Sequence, residues 1–127
     1  MTEIVLKKES YQIVGAFMRV HAELGPGFLE AVYQEALERE FNHCNIPFKR
    51  QIKLSLFYKD EKLKKYYIAD FLCYDKIVLE LKALQFLHTT SNDQLLNYLR
   101  ATNLRLGMVV NFGKPSLEYK RILNPRV

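Results

Sequence analysis

From Ser10 to about Glu23 apolar positions recur at helical spacing, with Ile13, Val14, Phe17, Met18 and His21 on one side and Ser10 placed as an N-cap. Leu24-Gly25-Pro26-Gly27 breaks that period. A second helix follows at once, with Leu29, Val32, Tyr33, Ala36, Leu37 and Phe41 as its stripe. His43 to Pro47 reads as a turn, and the period then drops to two. Ile52 to Phe57 alternates as a strand, Tyr58 to Lys62 is a polar hairpin loop, and Tyr67–Cys73 and Ile77–Lys82 are two more strands. A third helix starts at Ser91, where Ser91-x-x-Gln94 matches a capping box, and Leu95, Leu96 and Leu99 form its packing side. Leu106 to Phe112 is apolar almost throughout, as a strand buried on both faces must be. Leu117 to Ile122 adds an edge strand, and Pro125 ends regular structure.

The order is α-α-β-β-β-α-β. A strand, helix, strand succession implies a right-handed crossover between parallel strands. The pattern therefore predicts an α/β layer fold whose mixed sheet has three antiparallel strands extended by one parallel strand.

Three charges interrupt the apolar strands: Asp70 on one, Glu80 and Lys82 on the other. Burying an unpaired charge is costly. Strict alternation puts Ile77, Leu79 and Leu81 on one face and Val78, Glu80 and Lys82 on the other. A two-residue turn at Asp75-Lys76 would set Asp70 opposite Leu81, on the wrong face. A three-residue loop, Tyr74-Asp75-Lys76, would set it opposite Glu80, with the Cβ atoms within about 5 Å. At an effective dielectric of about 20, two such carboxylates repel by about 4 kcal/mol. A divalent cation removes that repulsion, and oxygen-only ligation suits Mg²⁺ or Mn²⁺. Lys82 would then stand beside the metal, able to stabilise developing negative charge. Taken alone, an Asp…Glu-x-Lys pattern is commonest as a salt-bridged trio on the wet face of a sheet.

Length and composition narrow the classes. At 127 residues the chain suits one domain spanning 1–127. Its 49% hydrophobic and 26% charged residues are ordinary for a globular protein. No apolar run approaches the length of a membrane span, and the N-terminus has no signal-peptide core, so a cytoplasmic protein without a membrane partner is expected. Cys44 and Cys73 form no C-x-x-C motif, and the three histidines have no zinc spacing. The net charge of +5 is compatible with a polyanionic partner. Clusters such as Lys62-Leu-Lys64-Lys65 and Lys49-Arg50-Gln-Ile-Lys53 are more often solvated faces than phosphate tracks. His21, in the last turn of its helix, reads first as a cation favoured by the helix dipole and second as a ligand near the site. Glu30, in the first turn of the second helix, reads from spacing alone as a capping residue.

Four elements in order change the weighing. Asp70 on the second strand and Glu80-x-Lys82 on the third, in an αβββαβ frame, resemble the PD-(D/E)XK nuclease superfamily. Gln94-x-x-x-Tyr98 is similar to the Gln-x-x-x-Tyr motif of its RecB-type exonuclease branch. Gly27-Phe-Leu-Glu30-Ala-Val-Tyr33 resembles the signature of the GxxExxY family, small prokaryotic proteins usually placed in the same superfamily. The likeness runs from about Val20 to Phe112. It implies a restriction-endonuclease-like fold, a mixed central sheet flanked by helices. It also implies roles: Asp70 and Glu80 as metal ligands with the carbonyl of Leu81 as a third, and Lys82 orienting water or stabilising the phosphate. Glu30 would be a further ligand or orient a metal-bound water, and Gln94 and Tyr98 would position phosphate or the lysine. The RecB-type branch also carries a metal-binding histidine on its first helix, and His21 has no demonstrated register with it.

The resemblance points to an Mg²⁺-dependent nuclease acting on DNA or RNA. The alternative is a catalytically inactive module of the same fold that binds nucleic acid or a protein. A structural α/β protein with an incidental charge trio ranks last. The lack of any added DNA-binding element points to a partner or a homodimer.

Overall fold

The structure, a computed structural model, describes residues 4–85 and 90–126, with Thr90 and Ser91 placed by their backbone alone. The elements are α1 (Lys7–Leu24), α2 (Glu30–His43), β1 (Phe48–Tyr58), β2 (Glu61–Cys73), β3 (Ile77–Lys82), α3 (Thr90–Thr102), β4 (Leu106–Asn111) and β5 (Glu118–Leu123). The strands lie side by side in chain order, with β3 and β4 parallel and every other pair antiparallel. This is the mixed sheet that the alternation predicts, in a restriction-endonuclease-like α/β arrangement, with β5 on the far edge.

The apolar residues form two layers. On one face Ile13, Phe17 and Val20 of α1 and Tyr33, Leu37 and Phe41 of α2 cover Ile77, Leu79 and Leu81. On the other face Leu95 and Leu99 of α3 cover Val78, Val109 and Ala69. β3 and β4 are thus buried on both sides, which explains their apolar runs. α3 lies so close to β4 that a Cβ on Gly107 would meet the Leu95 side chain at 2.9 Å.

Several local expectations are corrected. α1 begins a turn earlier than Ser10, behind Leu6 at φ 50°, and has no side-chain cap. Leu6 packs on the core and draws that extra turn in, so Ser10 is buried inside the helix, its hydroxyl without a partner among the described residues. Met18 is exposed because the buried arc of α1 runs through Ile13, Ala16, Phe17 and Val20. Leu29 and Val32 are also exposed, since α2 buries only the narrower Tyr33, Leu37 and Phe41 stripe. β1 and β2 extend well beyond the alternating segments, as a hairpin closed by Lys59 and Asp60 in left-handed conformations. The capping pattern at Ser91 falls on a side chain outside the described residues.

The segment after β3 is held by Asn111. Fully buried, it donates to the Leu84 carbonyl and accepts from the N–H groups of Leu84 and Gly113, at 2.9, 2.9 and 3.1 Å. A Cβ on Gly113 would stand 2.4 Å from the Leu84 backbone, so this crossing admits only glycine. Asn111→Leu leaves those three main-chain groups without the side chain. It should cost about 2–5 kcal/mol in urea unfolding; a loss below about 0.5 kcal/mol would show that the clamp holds nothing.

Candidate functional site

The loop between β2 and β3 decides where the carboxylates fall. Cys73 pairs with Ile77, so Tyr74-Asp75-Lys76 is the three-residue connection, with Tyr74 and Asp75 at positive φ. The ladder continues through Leu72–Val78 and Phe71–Leu79 and then stops, while β3 remains paired with β4 as far as Lys82–Asn111. One more step would set Asp70 opposite Glu80. Instead, the sheet splits there. β2 leaves with β1, and the Asp70 carboxylate accepts the N–H of Leu81 at 2.8 Å, in place of a backbone carbonyl.

The departure of β2 comes from a rotation of the β1–β2 ribbon. Phe48, Phe71 and Cys73 lie in the layer under α1 and α2, whereas Ile52, Tyr67 and Ala69 lie in the layer under α3. Arg50–Phe71 and Ile52–Ala69 keep the same count across the change, so both strands switch faces together. The switch falls at Gln51, whose φ of 46° is left-handed, and at Asp70 opposite it. Strict alternation misplaces this step, because it takes a left-handed residue that no sequence pattern here announces.

Three backbone and side-chain directions follow. A strand residue turns its N–H and C=O to the same neighbour. Leu81 gives its N–H to Asp70, so its carbonyl also points into the gap between β2 and β3. Lys82 points the other way, its carbonyl accepting the N–H of Phe112 at 2.9 Å. The side chains of Glu80 and Lys82 follow Val78 onto the α3 face. There they line a cleft of about 100 Å³ together with Tyr67, Gln94, Leu95, Tyr98 and Val109.

So the structure brings Glu80, Lys82, Gln94 and Tyr98 into one cleft, with Asp70 tied to the adjacent Leu81. Tyr98 is stacked on Tyr67, ring centroids 3.9 Å apart and planes 4° apart. Tyr67 and Gln51 are site residues that the sequence did not single out. Tyr67 looks like any strand aromatic until α3 is laid over it. Two polar atoms in this cleft, Glu80 Oε1 and the Tyr67 hydroxyl, are buried with no partner among the described residues.

Glu30 arrives from the other layer. Gly25 and Gly27 take φ of 68° and 106°, a conformation other residues adopt only under strain, and turn the chain from α1 into α2. Tyr33 fixes that turn. Its hydroxyl donates to the Gly25 carbonyl at 2.5 Å and accepts the N–H of Phe28 at 3.2 Å. Its ring stacks on Phe112, centroids 4.7 Å apart. Glu30 is the first residue of α2 and makes no capping hydrogen bond; Leu29 holds the cap position. Its capping reading therefore reduces to a favourable charge at the helix start.

The electrostatics tie these groups together. Burial pushes the Glu80 carboxyl up to about 7, the Glu30 carboxylate pushes the same way, and Lys82 and the Asp70 N–H pull it back. Burial also raises Asp70, against the Leu81 N–H, Lys82 and the Gln51 amide. Glu30, exposed as a residue, has a partly desolvated carboxyl that is raised further by Asp70 and lowered by Lys82. Lys82 is thus the shared cation of three carboxylates.

Among the described residues no three His, Cys, Asp or Glu side chains stand close enough together to hold a metal ion. The donor set nevertheless suits a divalent cation. It is all oxygen, it carries excess negative charge, and one buried carboxylate oxygen has no partner. His21 belongs elsewhere. Buried in the last turn of α1, it packs on Phe112 and its Nε2 donates to the Lys114 carbonyl at 2.8 Å. Among the described residues no helix is long and apolar enough to cross a membrane.

Comparison with known proteins bears on the family and the fold. The sequence model described as the PD-(D/E)XK nuclease superfamily matches residues 7–122. Among solved structures, the crystal structure of SSO0001 matches with a TM-score of 0.57 at 18% identity, over 76% of this chain and 50% of that one. This chain therefore spans about half the length of that protein, and the likeness is one of fold. No curated protein matches the chain.

A raised carboxyl means that the folded protein binds more protons than the unfolded chain between about pH 4.5 and about 7. Stability therefore falls as pH rises through that window. In EDTA the melting temperature should drop between pH 5 and 7.5. Glu80→Gln should flatten the drop and be more stable than wild type at pH 7.5, by up to about 3 kcal/mol. Parallel profiles for the two proteins would contradict the burial of this carboxyl.

Proposed function

The chain belongs to the PD-(D/E)XK nuclease superfamily, and from that premise we propose that it is a Mg²⁺- or Mn²⁺-dependent nuclease that hydrolyses phosphodiester bonds in nucleic acid. The observation that carries this reading is the buried, unpartnered oxygen of Glu80 in a cleft shared with Lys82, beside a gap into which Asp70 and the Leu81 carbonyl are turned. Residues 1–127 act in this reading as one cytoplasmic nuclease-like domain. The Gly27, Glu30 and Tyr33 spacing supports placement in the GxxExxY family.

Asp70, Glu80 and the Leu81 carbonyl would hold the cation, with Glu30 as a further ligand or as the group that orients a bound water. When bound, the cation lowers the pKa of water and offsets charge on the phosphate. The chain's own residues do the rest. Water attacks phosphorus as the bridging P–O bond breaks, and Lys82 orients that water or neutralises the charge gathering on the phosphate oxygens. Gln94, on the rim of the cleft, offers an amide to the phosphate. Tyr98 is held by its stack on Tyr67, so its hydroxyl has a fixed place. No covalent intermediate is needed.

Three measurements test this. A panel of single-stranded and duplex DNA and RNA should show cleavage with Mg²⁺ or Mn²⁺, and Lys82→Ala should lower the rate by about 10²-fold or more. Binding without cleavage under every divalent cation would favour the inactive module. Millimolar Mn²⁺ should raise the melting temperature of wild type by mass action and leave Asp70→Asn unmoved; equal shifts would remove Asp70 from the ligand set. Glu30→Gln keeps the size of the side chain and deletes its charge. It should weaken the Mn²⁺ response and slow cleavage, whereas wild-type behaviour would reduce Glu30 to a helix-start charge.

A further inference from the structure

Beyond the rotation at Gln51 and Asp70, the β1–β2 hairpin runs on as an arm with one face against α3. Among the described residues no helix covers the other face. Lys53 pairs with Ile68 and Ser55 with Tyr66, so these four share that open face. Tyr66 and Ile68 are 48% and 50% exposed, and Phe57 and Tyr58 near the tip are 43% and 62% exposed. These aromatic side chains therefore keep about half of their surface open to solvent. The Lys53 ammonium stands 4.0 Å from the centroid of the Tyr66 ring.

Charge points to the occupant. From Lys53 to Ile68 the arm carries five lysines against two acids, a net +3 of the chain's +5. A second copy of this face would bring like charges together. A nucleic acid supplies the opposite charge and, if unpaired, flat bases as well. A ring open to solvent beside a cation is the pairing that grips single strands, where bases stack on aromatics and phosphates meet lysines. In a duplex the base faces are already occupied.

We propose that the open face of this arm, centred on Tyr66 and Lys53, is a rest for the single-stranded nucleic acid that enters the cleft. Tyr66 lies four residues before Asp70 on the same strand, about 13 Å at 3.3 Å per residue. Tyr66 faces away from the α3 side on which Glu80 and Lys82 lie, so the strand would pass from the arm to the cleft by way of the gap between β2 and β3 at Asp70. The inference rests on the nuclease reading only for the class of its partner.

The test is run in EDTA, where hydrolysis plays no part, so its failure and the failure of the nuclease reading are distinguishable. A labelled oligodeoxythymidylate is titrated with the protein and followed by fluorescence anisotropy. Tyr66→Ala should weaken binding about tenfold, the scale of one lost base stack, with an unchanged melting temperature. Tyr66→Trp should restore binding. Lys53→Ala should reduce the slope of log K against log salt by about 0.7. A duplex of the same length should bind more weakly and be insensitive to Tyr66→Ala. The proposal is overturned if Tyr66→Ala binds the oligonucleotide like wild type. It is equally overturned if sedimentation shows that Tyr66→Ala breaks up a dimer while leaving oligonucleotide binding intact.

Discussion

The hydrogen bond from Leu81 to Asp70 is the point on which the site turns. A strand in mid-sheet must find partners for its N–H and C=O groups on both sides. β3 meets this on the β4 side to its end, but loses β2 after Leu79. A side-chain carboxylate then takes the place of a neighbouring strand. One group therefore closes the sheet and opens the cleft. It satisfies the last β-type donor facing β2, and it leaves the adjacent Leu81 carbonyl and Glu80 carboxylate facing a space that no strand fills.

The first helix pair brings a third carboxylate, Glu30, within electrostatic reach of Asp70 and Glu80. A glycine at positive φ, a glutamate three residues on and a tyrosine three further make a device with separable parts. The glycine turns the chain, the tyrosine bolts the turn to Phe112, and the glutamate is delivered by the geometry of the other two. Phe112 follows β4 directly and its N–H binds the Lys82 carbonyl. Glu30 and Lys82 are thereby referenced to the same residue, from opposite layers of the fold.

Much of this was legible in the chain. Helix and strand order, the parallel β3–β4 pair and the edge strand followed from period and length, because burial on one face or two leaves a regular trace. The three-residue loop was legible, but the pairing of Asp70 with Glu80 that it implied stops one step short, where the ladder ends at Phe71 and Leu79. Other features left no trace. The face switch at Gln51 depends on one residue in a left-handed conformation, and glutamine is not a residue that signals it. The extra turn before Ser10 depends on what Leu6 finds to pack against. Leu29 and Val32 fit a helical stripe by type and spacing, yet α2 meets the sheet along a narrower line. Tyr67 and Tyr98 are 31 positions apart in the chain, so their stack exists only once α3 has docked.

The two apolar layers are unequal, and the site draws on both. The layer under α1 and α2 holds most of the core, whereas a smaller cluster fastens α3 to the sheet. Elements with fewer buried contacts open at lower free energy than the rest of a domain. Amide hydrogens of α3 would accordingly exchange through partial openings that leave the larger layer intact. In such an opening the chain keeps Asp70, Glu80 and Leu81 in register but loses Gln94 and Tyr98 from the cleft. If the chain is the nuclease proposed above, its activity would then track the local docking equilibrium of one helix, and heat would switch it off below the temperature at which the sheet unravels.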